Sequence, residues 1–452
     1  MAQCDRYIMY KQRRRVVGST TWEDVVPAVY SYNGDGTMPL VIAQATDNTN
    51  CCPEGGGGGP SVGDIVWREN GTVCDGTTKR KQLQKYQWNG SAWMPLQEFQ
   101  NGDVIEYNST DCGYTPTPST DYENQYFSIY LSNSGTITYQ GNTALTTNQL
   151  SYSTNGTTWS TPSSSFTVNV GDYQNVYFKG NCAGGYVNGN YQGLGTFSTD
   201  RMATAQGNIM SLLYGDSYQG NRSMSGKESA FKGLFSGSTT LANAANLVMP
   251  TTLSANACEA MFSGCTSLTT VPELPATAMS VACYSYMFRG CTSLQAAPQL
   301  PATTLAMSCY DSMFNDCTNL IIAPALPATT LADYCYYFMF ANCTSLTTAP
   351  SLPATALTNY CYHALFQGCT SLTTAPSLPA RTLAERCYRY LFRYCSNLNS
   401  ITCLATDISA SGCLDSWVSG VSSSGSFKKA SSMTGWPTGA NGIPTGWTVS
   451  NM

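Results

Sequence analysis

The stretch CTSLTTAPSLPA runs from Cys343 to Ala354 and recurs unchanged from Cys369 to Ala380, 26 residues further on. The same interval organises its surroundings. One cysteine column is Cys265, Cys291, Cys317, Cys343, Cys369 and Cys395. A second is Cys283, Cys309, Cys335, Cys361, Cys387 and Cys413, with Cys258 one residue out of step before it. Columns of phenylalanine (Phe288 to Phe392), leucine (Leu268 to Leu398), proline (Pro275 to Pro379) and tyrosine (Tyr284 to Tyr388) share the period. Several columns locked to one interval predict stacked units, each burying its apolar face against the next.

One unit reads as a helix followed by a rung. Thr330-Leu331-Ala332-Asp333 has the form of a helix N-cap with an acid three residues on, and Thr382 to Glu385 repeats it. Leu331, Cys335, Met339 and Cys343 then fall four apart, the spacing of one helical stripe. Leu346 to Pro350 predicts a short extended rung, and Pro350 and Pro353 turn the chain. Phe235, Leu241 and Pro250 look like a degraded first unit. Beyond Cys413, Trp436 and Trp447 are placed to close the open end of the stack.

Upstream the pattern is different. Residues 121–205 alternate polar with aromatic and β-branched residues, carry Asn155-Gly156 between two strand-like runs, and predict a β-sandwich. Residues 1–54 and 62–114 read as two related small β modules. A glycine-rich linker at 55–61 divides them, and a Thr-Pro linker at 115–120 follows. Trp88 to Trp93 reads as a hairpin. The expected organisation is mainly β in the N-terminal modules and sandwich. An α/β solenoid of 26-residue repeats follows over 206–413, with a C-terminal cap over 414–452.

Composition narrows the function. Of the 452 residues only 11% are charged, against roughly 25% in ordinary soluble domains, while 42% are hydrophobic. Hydroxyl, amide and aromatic surfaces suit adhesins, sugar binders and fibres. A net charge of -5 argues against a nucleic-acid partner. No apolar run is long enough to span a membrane. The N-terminus carries no apolar leader, so export by the general secretion route is not expected if Met1 is the natural start.

No catalytic constellation emerges. The single histidine, His363, sits in a column with Ser285, Asp311, Tyr337 and Arg389. A position that accepts all these types reads as a solvated helix face rather than as a general base with fixed partners. No Cys-x-x-Cys pair suggests zinc, no glycine loop suggests a phosphate, and no cofactor is expected. Asn33-Gly34-Asp35-Gly36 reads as a turn, since the other ligands of a calcium loop are missing. The columnar cysteines read as structural buried thiols. Whether Cys4 and Cys51, or Cys74 and Cys112, form disulfides is open. The tyrosine column suits either stacking on pyranose rings or stacking between units, and the second is preferred.

Ligand specificity, if the array has any, belongs where the copies disagree. One such column is Asp311, Tyr337, His363, Arg389 and their equivalents. A second holds Val281, Met307, Asp333, Asn359 and Glu385, and a third Arg289, Asn315, Ala341, Gln367 and Arg393. Tyr337, His363, Arg389, Asp311 and Arg393 are the candidate ligand-binding residues. Such columns are also what a merely solvated face would show. Basic clusters at Lys11 to Arg15 and Lys79 to Lys81 are solvated strand faces or docking points for an acidic surface.

The repeat phrase from "CTSLTTAPSLPAT" through "CYxxMF" resembles the BspA-like (Treponema-type) leucine-rich repeats common in Bacteroides, over roughly residues 230–413. The resemblance implies a right-handed solenoid used for adhesion or ligand binding, without catalysis. It matches the buried frame of Leu268 to Leu398 and Cys265 to Cys395. "TWEDVVP" and "VIEYNSTDC" are similar to segments of virion proteins of crAss-like phages that infect Bacteroides. That likeness implies a head or tail fibre on the virion surface, assembled in the host cytoplasm. Residues 1–114 would then bind other virion proteins and the solenoid a host-surface glycan or protein. Closed symmetry would make such a fibre a homodimer or homotrimer, and a cytoplasmic origin suits unpaired thiols. The alternative is a bacterial BspA-like surface adhesin.

Overall fold

A computed structural model describes residues 121–452, apart from 146–148, 163, 183 and 188–189, together with the backbone of six strands before them. The chain divides into two units, Met1–Thr120 and Asp121–Met452.

In the first unit, strand Arg13–Arg15 pairs antiparallel with Trp22–Asp24, so the first basic cluster lies partly on a strand. Strands Ile65–Asp75 and Thr78–Trp88 pair antiparallel, and the second also pairs with Trp93–Pro95 and Val104–Asn108. Trp88 opposes Trp93, the register of the expected hairpin. The glycine linker, the Thr-Pro linker, the Asn33 to Gly36 turn and the side chains of the N-terminal cysteines lie outside the described residues.

The second unit begins with two facing sheets. One orders strands Phe166–Val170, Gly135–Gly141 and Gly195–Thr199. The other joins Leu150–Ser153, Gln174–Gly180, Ser128–Leu131 and Ala203–Asn208. Rings from both sheets meet between them: Phe197 lies 4.8 Å from Phe178 and 5.5 Å from Phe127. Gly156, at φ 75°, turns the chain between Tyr152 and Ser160, which bridge antiparallel as Asn155-Gly156 predicts.

The boundary expected at 205/206 runs through a strand. Ala203–Asn208 pairs antiparallel with Ser128–Leu131 of the sandwich and parallel with Leu241–Asn243 and Leu247–Val248, the first rungs of the repeats. Phe235 contacts Phe197 at 6.1 Å on one side and stacks on Phe262 at 5.3 Å on the other. Sandwich and repeats therefore share one apolar core.

The expected helices are not there. Among the described residues, α-helix is confined to Ser211–Tyr214. The segment of each repeat read as helical is a run of consecutive β-turns, which corrects the α/β assignment. Between residues 333 and 343 the amides alternate between two uses. Cys335, Tyr337, Met339, Ala341 and Cys343 donate to the carbonyl three residues back, at 3.0–3.3 Å. Tyr334, Tyr336, Phe338, Phe340 and Asn342 donate to Asn359, Cys361, His363, Leu365 and Gln367 of the next repeat, at 2.7–3.1 Å. Each of these ten donors is satisfied, and half of the bonds are non-local.

The backbone alternation has a cost. Every fourth residue enters the left-handed region: φ is 60° at Tyr334, 51° at Phe338 and 62° at Asn342. A residue with a Cβ loses about 1–2 kcal/mol there. The last position of each trio is therefore mostly Gly, Asn or Asp, namely Gly264, Gly290, Asp316, Asn342 and Gly368, before Tyr394 departs from the rule. The inter-repeat bonds and the burial described next offset the cost at the others.

Side chains run two in, two out. Cys335-Tyr336 and Met339-Phe340 are buried, while Tyr337-Phe338 and Asn342 stand on the outer side. The inward rings stack on their equivalents. Neighbouring phenylalanines from Phe235 to Phe392 lie 5.3–5.8 Å apart and within 9° of parallel. Tyr284 to Tyr388 make a second ladder at 5.8–6.2 Å. Both ladders reach Trp417, which stacks on Trp436 at 5.9 Å. Trp447 is also buried and donates to the Ser422 carbonyl at 2.8 Å. Three parallel strands, Ser400–Cys403, Ser426–Lys429 and Thr448–Asn451, finish the unit.

Asp333 does not cap a helix. Its carboxylate accepts from the Asn359 amide of the next repeat at 3.0 Å. Cys258 is not a displaced member of the second cysteine column either. Its amide bonds to the Cys283 carbonyl, as the Tyr284 amide bonds to that of Cys309, so Cys258 occupies the first tyrosine position and Ala257 the first cysteine position.

Candidate functional site

The cysteines line the core. Every described cysteine is a buried free thiol. The first column makes a regular contact: Cys343, Cys369 and Cys395 donate their Sγ hydrogen to the carbonyls of Phe314, Phe340 and Phe366 at 2.9–3.2 Å, and Cys265 to Cys317 do the same. A thiol there fills a small apolar volume and satisfies a carbonyl in the preceding unit. Burial pushes the thiols of Cys265, Cys317 and Cys395 up to about 12, and that of Cys343 well above its ordinary value. Thiolate, the reactive form, is suppressed. In the native full-length chain, iodoacetamide is expected to modify few of the array cysteines during a time that modifies all of them in denaturant. Rapid native labelling of most, read by mass spectrometry, would contradict the burial.

The tyrosine column is equally closed. Tyr284, Tyr310, Tyr336, Tyr362 and Tyr388 are each about 1% exposed or less, so their faces meet one another and not a sugar.

The outer side of the turn ribbon carries the variation. Its three columns of outward pairs begin at the positions of Asp333, Tyr337 and Ala341, the columns in which the copies disagree. The second member of each pair is the left-handed residue: Tyr334, Phe338 and Asn342 in one repeat, Tyr360, Ala364 and Gly368 in the next, Arg386, Tyr390 and Tyr394 in the third. These residues escape a reading based on a helix, which places them off the variable stripes. A strict period of four ending in Gly, Asn or Asp, instead of a drift toward 3.6, is the signal that marks them.

From Tyr334 to Tyr394 this face is aromatic and basic. Tyr334 stacks on Tyr360 at 4.5 Å, and Tyr337 on His363 at 4.7 Å. Tyr360, Phe338 and Tyr390 complete the surroundings of His363 at 5.4–5.7 Å. His363 is thus not on a solvated face. It is 4% exposed, and its Nδ1 has no hydrogen-bond partner. Burial first, then the charges of Arg389 and Arg386, push its imidazole down to about 4, so it is neutral at pH 7.

Three arginines edge these rings. Arg386 lies over Tyr360 and donates to its hydroxyl. Arg389 lies 4.7 Å over Tyr390 and donates to its hydroxyl at 2.9 Å. Arg393 sits between Tyr390 at 4.7 Å and Tyr394 at 4.5 Å, and donates to Tyr394 at 2.8 Å. Carboxylates compensate them incompletely. Glu385 is 3.3 Å from Arg386 and Asp415 is 4.0 Å from Arg389, while Arg393 has no ion pair among the described residues.

Among the five candidate residues, the structure brings Tyr337, His363, Arg389 and Arg393 into or beside this cluster. Asp311 lies toward the other end, where Ser285, Ser308, Ser312 and Asp316 stand beside one tyrosine–arginine pair, Tyr286 and Arg289. Its carboxylate accepts from Ser312 at 2.7 Å, and burial pushes its pKa up to about 6.

The arrangement holds constant rings inside and variable rings and charges outside. No group of three metal-ligating side chains occurs among the described residues. Comparison with the curated proteins and with the solved structures returns no match. Residues 234–373 and 333–414 match the BspA type leucine rich repeat region, in six copies, and over that part the chain is similar to this repeat family.

Proposed function

We propose that the chain is a non-catalytic adhesin-type protein whose repeat array presents the outer face of the turn ribbon to a host cell surface, and that it does so as a fibre of a phage virion. One observation carries the reading. Every inward position of the ribbon is nearly constant from repeat to repeat, while the outward pairs change at each step. A frame that repeats and a face that varies is how an extended surface acquires specificity. Residues 1–114 are the attachment to other virion proteins, and the fibre is a homodimer or homotrimer. The unpaired buried thiols favour folding in a reducing compartment, as assembly in a host cytoplasm provides.

Mass spectrometry of purified particles should find the chain in stoichiometric amounts. Its absence there, with presence on the surface of uninfected bacteria, would replace the fibre with a bacterial adhesin. Purified full-length chain should also adhere to host cells, and failure to do so would remove the adhesive role.

A further inference from the structure

We infer that the ligand of the array is an acidic glycan, and that it is bound on the aromatic shelf between Tyr334 and Tyr394 by Arg386, Arg389 and Arg393. The inference rests on the adhesive reading above and specifies the chemistry of its face.

The shelf supplies flat rings, each partly exposed: Tyr334, Tyr337, Tyr360 and Tyr390. Their faces are largely taken by one another, by His363 and by the arginines, so a ligand meets ring edges and phenolic hydroxyls, which hydrogen-bond sugar hydroxyls. Edges and hydroxyls alone would suit a neutral sugar. The arginines add sign. Each guanidinium gives one hydrogen bond to a tyrosine hydroxyl, which fixes its plane and leaves other N–H donors for a ligand. Three cations of one repeat face two carboxylates, Glu385 and Asp415 of the following repeat, and the best-held cation, Arg393, opposes none. Planar, preorganised guanidinium forks match carboxylate and sulfate oxygens.

The polarity of the face favours a glycan over a polyphosphate. At the other end of the same face Glu259, Asp311 and Asp316 outnumber Lys232 and Arg289, which pair with Glu259 and Asp316, and the whole chain carries -5. A long nucleic acid would be repelled beyond the shelf. A sugar chain with spaced acids engages the shelf and leaves the acidic end free.

The experiment measures binding of the full-length chain to immobilised hyaluronate, sparsely carboxymethylated dextran and neutral dextran, with a single-stranded oligonucleotide as a fourth surface. The expected result is retention on one or both acidic polysaccharides and none on dextran. Arg393→Gln should weaken that binding about tenfold, and Arg386→Gln with Arg389→Gln should weaken it further. Arg289→Gln, at the other end of the face, should leave it unchanged. Equal binding to dextran, tighter binding to the oligonucleotide, or affinity unmoved by the three shelf substitutions in a folded protein would overturn the inference. Adhesion to host cells separates the two readings. Adhesion that survives the triple substitution keeps the adhesin and removes the acidic glycan. Arginine-dependent binding to polysaccharide without cell adhesion does the reverse, and neither activity removes both.

Discussion

Phe340→Ala is expected to destabilise the Asp121–Met452 unit by about 3–5 kcal/mol, the range for deleting a fully buried aromatic side chain. Phe340 is completely buried, stacked at 5.7 Å on Phe314 and at 5.8 Å on Phe366. Its amide bonds to Leu365, and its carbonyl accepts both the Cys343 amide and the Cys369 thiol. The substitution opens a gap in a ladder that runs from the sandwich to Trp417. Repeats touch only their neighbours, so the gap should also uncouple the two halves. Equilibrium unfolding in urea, followed by tryptophan fluorescence, should show an earlier and broader transition. Gln367→Ala, on the outward side of the next repeat, should stay within about 0.5 kcal/mol of the parent. Equal effects at both positions would mean that the inward rings are not the core.

The second large effect is a pair of opposing pH dependences. His363 is held near 4 against an ordinary value of 6.5, so between those values the unfolded chain binds a proton that the folded chain refuses. Its contribution is complete above pH 6.5 and is lost as pH falls toward 4, by about 3 kcal/mol. Asp311 runs the other way. With its carboxyl raised from 3.8 to about 6, it favours folding at low pH and loses about 3 kcal/mol as pH rises from 4 to 6. In the parent the two largely cancel, and single substitutions separate them. Relative to the parent, His363→Gln should become progressively less stable as pH rises from 4 to 6.5. Asp311→Asn should become progressively more stable. Difference curves from denaturant titrations at several pH values read this directly, and two flat curves would contradict the burial of both groups. The chemistry around His363 supports the sign. Its neighbours Tyr337, Tyr360, Phe338 and Tyr390 offer no carboxylate, and Arg386 and Arg389 repel a second positive charge.

Much of this was legible in the residues, and the part that was not has one physical cause. The 26-residue columns mark the stack and its buried frame because packing between identical neighbours demands identical side chains. The variable columns at Asp333, Tyr337 and Ala341 mark the outward side for the complementary reason. Helix was the wrong local structure because a spacing of four is shared by one helical stripe and by consecutive β-turns that face two in and two out. What decides between them is non-local: the carbonyls of the next repeat take alternate amides, a contact no window of one repeat contains. A helical reading hides the second member of each outward pair, so Tyr334, Phe338, Tyr360, Arg386 and Tyr390 do not stand out in sequence although they form most of the shelf. In sequence His363 reads as solvated because its column is polar elsewhere. Only stacking brings Tyr337 and Tyr390 over it.

The central claim is that these segments are stacked turns whose alternate amides bind the next repeat, which fixes what the face displays. Far-ultraviolet circular dichroism of the full-length chain tests it most directly. The account predicts a spectrum without the double minimum of α-helix. A helical signal matching a two-to-three-turn helix in every repeat would contradict it, and with it the placement of the shelf.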